Sequence, residues 1–354
     1  MIGKTLEEVE ASLENLITYI KFIKNNNIFL ETISSSDYKS AELRYVSCLK
    51  NKLNNKRVIE YNSFIITLYG FFENFIENLI EEYLELLEKQ ITSYQNLPEA
   101  IKSKNIELTN QLIIDISRKN RYSNLSQETI IKKLHESVNN DCSSLNICAF
   151  QTHTSNFRFD TIKSQMENIG VGGLNNKLKR CPEMKKFLEV DFGNHLSGLN
   201  SKIAFAKINK LADLRNEVAH GHKIDEILSY NSIIEYTEFI ILFCRSISNV
   251  LADSACELLF NITNKNIKII KVFKKNILCA SVNSINITKN TQILVKRETN
   301  CSPQYTYRKI NGFEIDGVSV EKITAKGSLD IGIELNGNIT DQNDFRLFEV
   351  NSTP

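Results

Sequence analysis

Apolar residues recur at intervals of three and four along most of the first 260 residues, which is the spacing of an amphipathic helix. Leu13, Leu16 and Ile20 form such a series near the start of the chain. We predict that Thr5-x-x-Glu8 opens this helix as a capping box. The same periodicity predicts further helices at about residues 57–90, 97–118, 126–138, 158–169, 198–219 and 225–260. This part of the chain is therefore predicted to be a helical bundle.

The pattern changes to short alternating runs after about residue 261, which is typical of β-strands. Asn-Gly and Asp-Gly dipeptides lie between several runs and indicate turns. The predicted strands span residues 267–273, 277–282, 293–296, 318–323, 331–335 and 345–350. We therefore predict an α+β protein with two domains, an all-α helical domain over residues 1–260 and a small β-barrel over residues 261–354.

Composition and charge indicate a globular protein and argue against a surface that binds polyanions as a whole. The sequence contains 43 basic and 42 acidic residues, and 42% of its residues are hydrophobic. This balance is that of a globular protein with a sizeable core, and the net charge of +1 does not indicate polyanion binding by the whole surface. The segment from residue 261 carries 13 basic and 9 acidic residues, so its net charge is +4 and that of the remainder is −3. Any polyanion site must therefore be local.

Targeting segments, metals and cofactors are not indicated by the sequence. The start of the chain lacks a basic stretch followed by an apolar run, so we expect no secretory signal and a cytoplasmic protein. The apolar run at 233–251 contains Glu235, Glu238 and Arg245, which favours a core helix over a membrane span, and no membrane partner is expected. The eight cysteines form no Cys-x-x-Cys pair, so we expect free thiols, no metal site and no cofactor.

The residues best suited to chemistry lie together at the end of a predicted helix, in the string Leu-Arg-Asn-Glu-Val-Ala-His-Gly-His at positions 214–222. Arg215 supplies a permanent cation whose planar fork suits a phosphate, and His220 can exchange a proton near neutral pH. Together they suit cleavage of a phosphodiester by the adjacent ribose 2′-hydroxyl. That reaction requires RNA and no metal ion.

The spacing of these two residues poses a geometric difficulty. On an ideal helix, five residues separate Arg215 and His220 by about 140° around the axis. Either the helix breaks before His220, as Gly221 would permit, or the two residue types meet across a dimer interface. A third interpretation is that both side chains interact with carbonyl groups at the helix end.

The string at 214–221 resembles the RX4–6H signature of HEPN domains, in which an Arg, a polar residue and a His stand in this order. Upstream, the string Tyr-Gly-Phe-Phe-Glu-Asn-Phe-Ile at 69–76 is similar to a helix of HEPN-like nucleases in the RiboL-PSP and MAE-named group. The segment at 156–170 resembles the region between these helices. The likeness covers about residues 55–260 with two motifs in the expected order.

This resemblance implies an up-and-down helical bundle that pairs as a homodimer and brings two Arg/His motifs into one cleft. It implies a metal-independent endoribonuclease of a defence or toxin–antitoxin type, whose products carry 2′,3′-cyclic phosphate and 5′-hydroxyl ends. By position, Arg215 would contact the scissile phosphate, Asn216 would help to orient it, and His220 would transfer protons. Glu73 matches an acidic position of the upstream helix. The implied partners are RNA such as tRNA, a second copy of the chain, and an antitoxin or other defence-system protein.

Three alternatives remain open at this point. His222 also satisfies the looser spacing from Arg215, although the Ala-His-Gly frame favours His220. His220-x-His222 could instead be half of a metal site. The domain could also be a non-catalytic HEPN module that binds RNA, a nucleotide or a partner protein.

The C-terminal segment is similar to the second domain of translation factors such as elongation factor Tu, in the order of its runs at 271–278, 285–295, 315–320 and 331–335. That resemblance implies a contact with RNA or with a partner protein. The chain has no GxxxxGK[ST] phosphate-binding loop, so a GTPase is not predicted. Seven basic residues are candidates for RNA contacts: Lys271, Lys274, Lys275, Lys296, Arg297, Arg308 and Lys309.

Overall fold

The structure of the protein is a computed structural model that describes most of the chain. The described residues are 2–34, 55–116, 124–139, 144–152, 155–194, 196, 198–221, 227–263, 267–288, 291–299 and 303–349.

Helices form the described part of the chain up to residue 262, as the apolar periodicity predicts. A single 3-10 turn, Tyr94–Asn96, precedes the third helix. The α-helices are α1 (Lys4–Ser34), α2 (Lys56–Gln90), α3 (Glu99–Ile116), α4 (Gln127–Val138), α5 (Ile147–Phe150), α6 (Phe159–Asn168), α7 (Leu174–Arg180), α8 (Pro182–Phe192), α9 (Ser201–Ala204), α10 (Ala206–Ala219) and α11 (Tyr230–Ile262).

Two differences from the predicted helices have clear causes. The helix predicted over 198–219 is interrupted at Phe205, whose ring stacks on that of Phe159 with centroids 4.3 Å apart. This contact fixes the bend between α9 and α10. Helix α8 was not predicted, although Pro182 stands at its first position, where the missing N–H of proline has no cost.

The chain folds into two compact units. The first, called the motif unit below, comprises Ile2–Glu82 and Phe150–Asn249. The second, called the sheet unit, comprises Tyr83–Ala149 and Val250–Pro354. Secondary structure changes from helix to strand between Ile262 and Lys268, close to the predicted domain boundary at 260/261. That boundary stays a prediction.

The core of the motif unit is aromatic and is built largely on α2. Phe72 is fully buried and packs edge-on against Phe243, with ring centroids 5.9 Å apart. Phe243 also contacts Phe205 at 6.0 Å, so α2, α11 and the bend before α10 share one cluster. Buried aromatic rings of this size contribute about 1.5–3 kcal/mol each through removal of apolar area from water. This packing holds α10 against α2.

A distant carboxylate caps the first helix. Glu82 accepts hydrogen bonds from the backbone N–H groups of Gly3 (2.7 Å), Lys4 (3.0 Å) and Thr5 (3.1 Å). The capping box predicted at Thr5-x-x-Glu8 is therefore wrong, because the helix already begins at Lys4 and its free N–H groups are satisfied from α2. Burial alone would raise the pKa of Glu82, but these hydrogen bonds outweigh it and lower the pKa.

The sheet unit contains seven antiparallel strands in the described residues. They follow the order β1-β2-β6-β4-β3-β7, with β5 paired to β4. The residue before β1 reaches the opposite edge, since the N–H of Ile267 donates to Phe345 O at 3.5 Å. The predicted barrel is thus a curled antiparallel sheet, and the α+β class is confirmed. The strands are β1 (Lys268–Phe273), β2 (Ile277–Ile287), β3 (Thr291–Arg297), β4 (Gln304–Ile315), β5 (Val318–Val320), β6 (Ile323–Leu335) and β7 (Asp344–Glu349).

Strand β4 was not predicted because its sequence is polar and contains Asn311-Gly312, a typical turn dipeptide. In the structure this dipeptide lies inside the strand, where the register with β6 shifts between Ile310 and Gly312. The shift is a β-bulge, which a glycine accommodates easily. The next dipeptide, Asp316-Gly317, does form a turn, with φ values of 50° and 80°, and joins β4 to β5.

Helix α11 is closed at its C-terminal end by a strand side chain. Arg346 of β7 lies 4.2 Å over the ring of Phe260 and donates to the carbonyl oxygens of Phe260 and Thr263. A cation at this position satisfies carbonyl groups that the helix leaves unpaired. By length and composition α11 could cross a membrane, but 67% of its most apolar window is buried within the protein, as in a core helix.

Candidate functional site

Arg215 lies on α10 with its guanidinium held above an aromatic ring. The guanidinium carbon is 5.5 Å from the ring centroid of Tyr69 on α2, and the Arg215 side chain is half-buried. Tyr69 itself is 2% exposed. An arginine in this arrangement gains cation–π energy and loses few additional rotamers when it binds an anion. The cation of the predicted motif is therefore positioned before any ligand arrives.

The hydroxyl group of Tyr69 fixes this ring in place. It accepts a hydrogen bond from the buried backbone N–H of Phe157 at 2.9 Å and donates one to Glu73 Oε1 at 3.3 Å. Burial raises the pKa of Tyr69, the Phe157 bond opposes the shift, and Glu73 reinforces it. The phenol consequently stays protonated and acts as a donor. Glu73 supports Arg215 through this ring.

Asn216 belongs to the same network. Its Oδ1 accepts a hydrogen bond from Nδ2 of Asn156 and lies 3.4 Å from Nη1 of Arg215. Both amides are half-buried. One oxygen thus receives two donors and links the guanidinium to the segment before α6.

Two further contacts hold that segment against α10. Arg158 pairs with Asp213 at 2.5 Å, and the N–H of Phe159 donates to Asn209 Oδ1 at 2.9 Å. Asp213 and Asn209 lie on α10, at four-residue spacing. The segment at 156–159 is therefore held against α10, next to Arg215.

His220 has a different environment from Arg215. It is the C-terminal cap of α10, its N–H donates to Asn216 O at 3.0 Å, and its side chain is exposed. Gly221 follows with a φ of 63°, a conformation that favours glycine and ends the helix. Helix α10 ends at Ala219, directly before His220, but the hydrogen bond of the His220 N–H is still helical, so the backbone follows the helix up to this residue. The two side chains are therefore about 140° apart around the axis and about 7.5 Å apart along it.

Residues 36–253, more than half of the chain, match the profile of the RiboL-PSP-HEPN family. The chain belongs to the RiboL-PSP-HEPN family. No curated protein and no solved structure is significantly similar to it. Membership of the HEPN family supports a nuclease or RNA-binding role, because HEPN domains are commonly ribonucleases. The strands lie beyond the matched residues, so the likeness of the sheet to a translation-factor domain stays a prediction.

Three of the four predicted HEPN site residues are brought together in one network of contacts. Glu73, Arg215 and Asn216 connect through Tyr69 or Asn156 in what we call the Arg215 site. His220 caps the same helix, and its side chain is exposed. The assignment of all four residues as catalytic stays a prediction. His153, His195 and the alternative histidine, His222, lie outside the described residues.

Sequence reasoning missed Tyr69 and Asn156 as members of the site, although both stood in the strings that carry the HEPN resemblance. A tyrosine on an apolar helix face is ordinarily interpreted as a core residue. Its polar partners, Glu73 and the Phe157 N–H, lie 4 and 88 residues away in the sequence. Only its position directly after an apolar run and four residues before Glu73 could have pointed to it.

No metal centre can be built from the part of the HEPN chain that the structure describes. That part contains no group of three or more His, Cys, Asp or Glu side chains able to hold an ion. The His220-x-His222 half-site includes a residue outside this part. The Arg215 site offers a fixed cation, two amides, a neutral phenol and the carboxyl group of Glu73.

Proposed function

We propose that this protein is a metal-independent endoribonuclease of a defence or toxin–antitoxin type, active as a homodimer. Arg215 and His220 of two copies would form a composite site that cuts RNA and leaves 2′,3′-cyclic phosphate and 5′-hydroxyl ends. The observation that carries the proposal is the half-buried guanidinium of Arg215, which the ring of Tyr69 and the amide of Asn216 hold in place.

The arrangement suits the binding of a phosphate rather than of a neutral ligand. A guanidinium keeps its charge at every working pH and offers two parallel N–H donors to phosphate oxygens. In this site the guanidinium lies over an aromatic face, which attracts a cation without neutralising its charge. A phosphorane with added negative charge would be stabilised more strongly than the substrate.

The position of His220 favours a second copy as its partner. Since about 140° of helix surface separates it from Arg215, one helix does not aim both groups at one phosphorus atom. The surface beside the site also suits a second copy. Ile59 and Ile66 on α2 are 62% and 42% exposed and lie fourteen and seven residues before Glu73, on the same side of the helix.

The chemical step balances without a metal ion. His220 would accept the proton of the 2′-hydroxyl as its oxygen bonds to phosphorus, while Arg215 of the other copy holds the phosphate oxygens. The bond to the 5′-oxygen then breaks, that oxygen takes a proton from water to become the 5′-hydroxyl, and His220 returns the proton it accepted to solvent. DNA would not react, because it lacks the attacking hydroxyl.

Incubation of the full chain with total RNA in EDTA tests the proposal. We expect cleavage, abolished in His220→Ala and retained in Lys210→Ala, which removes an exposed cation from the same helix. The 3′ ends should accept an adapter only after the cyclic phosphate has been removed enzymatically. Cleavage that His220→Ala leaves intact, or that requires added Mg²⁺, would contradict the proposal.

The alternative function is a non-catalytic HEPN module that binds RNA, a nucleotide or a partner protein. It is favoured by one observation, the exposed position of His220 on a different side of α10 from Arg215. Under this alternative the protein binds RNA in a mobility-shift assay, Arg215→Ala weakens the binding, and no new RNA ends appear.

A further inference from the structure

The outward face of the curled sheet carries a groove of about 450 Å³, formed by residues of β1, β2, β6 and β4. Leu278, Ile333 and Phe313 belong to the buried core of the sheet. Because side chains alternate along a strand, the neighbours Cys279 and Gly332 face the other way, towards solvent. The groove therefore lies outside the core and is open to a ligand.

The floor of the groove is low because its residues are small. Cys279 is paired with Gly332, and Gly332 with Glu314, across three adjacent strands. A Cβ atom at Gly332 would lie 3.5 Å from Cβ of Glu314, so the missing side chain leaves space for a ligand. Burial, reinforced by Glu314, raises the pKa of Cys279, which keeps its thiol uncharged.

One side of the groove is apolar and exposed. Ile270 and Phe273 of β1 are 54% and 46% exposed, although both are large. The register of β1 with β2 shifts between Ile269 and Lys271, so Ile270 occupies a bulge at the edge of the sheet. Large apolar side chains beside a depression are typical of surfaces that bind another molecule.

The opposite side is acidic. Glu314, Asp316 and Asp330 line the groove and are exposed, and Lys274 is the one basic residue among the described lining residues. Lys271 adds a second cation at the apolar edge, since its Nζ lies 5.0 Å from the centroid of the phenylalanine ring there. Three negative charges and two positive charges give the groove and its edge a net charge of −1. The turn at Asp316, with a φ of 50°, holds one of these carboxylates at a fixed place.

We propose that this groove, called the sheet groove below, binds a protein segment in which an apolar side chain is flanked by Lys or Arg. The apolar side chain would lie over Gly332 and Cys279 against Phe273, and the flanking cations would pair with the carboxylates. This chemistry disfavours RNA at the sheet groove, because its phosphates would meet three carboxylates. The inference goes beyond the proposed nuclease activity and does not depend on it.

A selection from a phage-displayed library of random twelve-residue peptides, with the full chain as bait, tests the proposal. We expect enrichment of peptides that combine Phe, Leu or Ile with neighbouring Lys or Arg. Synthetic fluorescein-labelled copies should bind in a polarisation assay, more weakly as salt increases. Enrichment of acidic peptides, or no peptide that survives this assay, would overturn it.

Two variants with different effects on shape locate the binding. Gly332→Val fills the floor and should weaken binding of the labelled peptide tenfold or more. The combined Glu314→Gln, Asp316→Asn and Asp330→Asn variant keeps the shape and should weaken it about tenfold, as three lost surface ion pairs would.

Glu321→Gln, which removes an exposed carboxylate outside the groove, is the matched control and should bind as the natural protein does. Equal peptide binding by the charge variant and this control would contradict the proposal, even if Gly332→Val failed to fold. Binding of a labelled single-stranded RNA that is lost in the charge variant would contradict it as well.

Discussion

The Arg215 site and the sheet groove carry different charged groups and are built by different structural means. In the motif unit, contacts between residues far apart in sequence hold the Arg215 guanidinium over the ring of Tyr69. The segment at 156–159 packs beside it. In the sheet unit, neighbours in register form a depression because Gly332 lacks a side chain, and carboxylates surround it. The first arrangement suits a polyanion and the second a basic segment. The two proposals therefore require no charged group in common.

The largest expected effect separates the two regions. Arg215→Ala should lower RNA cleavage by about 10² or more, because the charge that stabilises the phosphorane is lost. The charge variant of the sheet groove should leave cleavage within about twofold. Initial rates on one RNA, measured for both variants and for Lys210→Ala, check this. A loss of cleavage in the groove variant with a normal rate for Arg215→Ala would reverse the comparison.

A second prediction concerns the surface beside the Arg215 site. Ile66→Lys should weaken the homodimer tenfold or more, because an apolar contact becomes a buried charge. Sedimentation over a range of concentrations measures the change, and cleavage should decrease in parallel. Ile131→Lys is the matched control, since Ile131 is 53% exposed and lies in the sheet unit. A monomeric natural protein that cuts RNA would remove the need for a composite site.

Two variants of Tyr69 distinguish its ring from its hydroxyl group. Tyr69→Leu removes the platform under Arg215 and should lower cleavage about tenfold, as the loss of about 1.4 kcal/mol of cation–π energy would. Tyr69→Phe keeps the platform but deprives Phe157 N–H and Glu73 of a partner. It should lower stability by about 1–3 kcal/mol and cleavage by less than about threefold. Equal rates for both variants, measured well below melting, would exclude the platform role.

The smallest expected effect is on the cap of α1. Glu82→Gln should lower the free energy of unfolding by about 1 kcal/mol at pH 7. Because the folded pKa of Glu82 is lowered, its stabilisation exists above the unfolded pKa and disappears as the pH falls through the folded value. Urea unfolding of the two proteins should therefore converge once the pH lies below the folded pKa, which is itself lower than the unfolded value of about 4.3. Glu85→Gln, an exposed carboxylate on the same helix, should show a smaller difference at pH 7.

Much of the fold could be predicted because the relevant signals are local. The apolar period predicted α2 as residues 57–90 against the observed Lys56–Gln90, and the alternating runs predicted most strands. Strand β4 was not predicted, because the conformation of Asn311-Gly312 depends on the partner strand. A dipeptide that turns the chain in isolation forms a bulge when β6 supplies hydrogen bonds on both sides of it.

The sequence by itself determined that helices come first and strands follow, most of their positions, the Arg-Asn and Ala-His-Gly strings and the family they indicate, since periodicity and motifs are properties of neighbouring residues. Only the tertiary structure decided which side chains meet. It placed Tyr69 beneath Arg215, brought Glu82 to the N-terminal N–H groups of α1, and left His220 exposed at the end of α10. These contacts depend on the packing of α2 against α10 and of α1 against α2. Their energies arise between residues that are distant along the chain, where no local pattern records them.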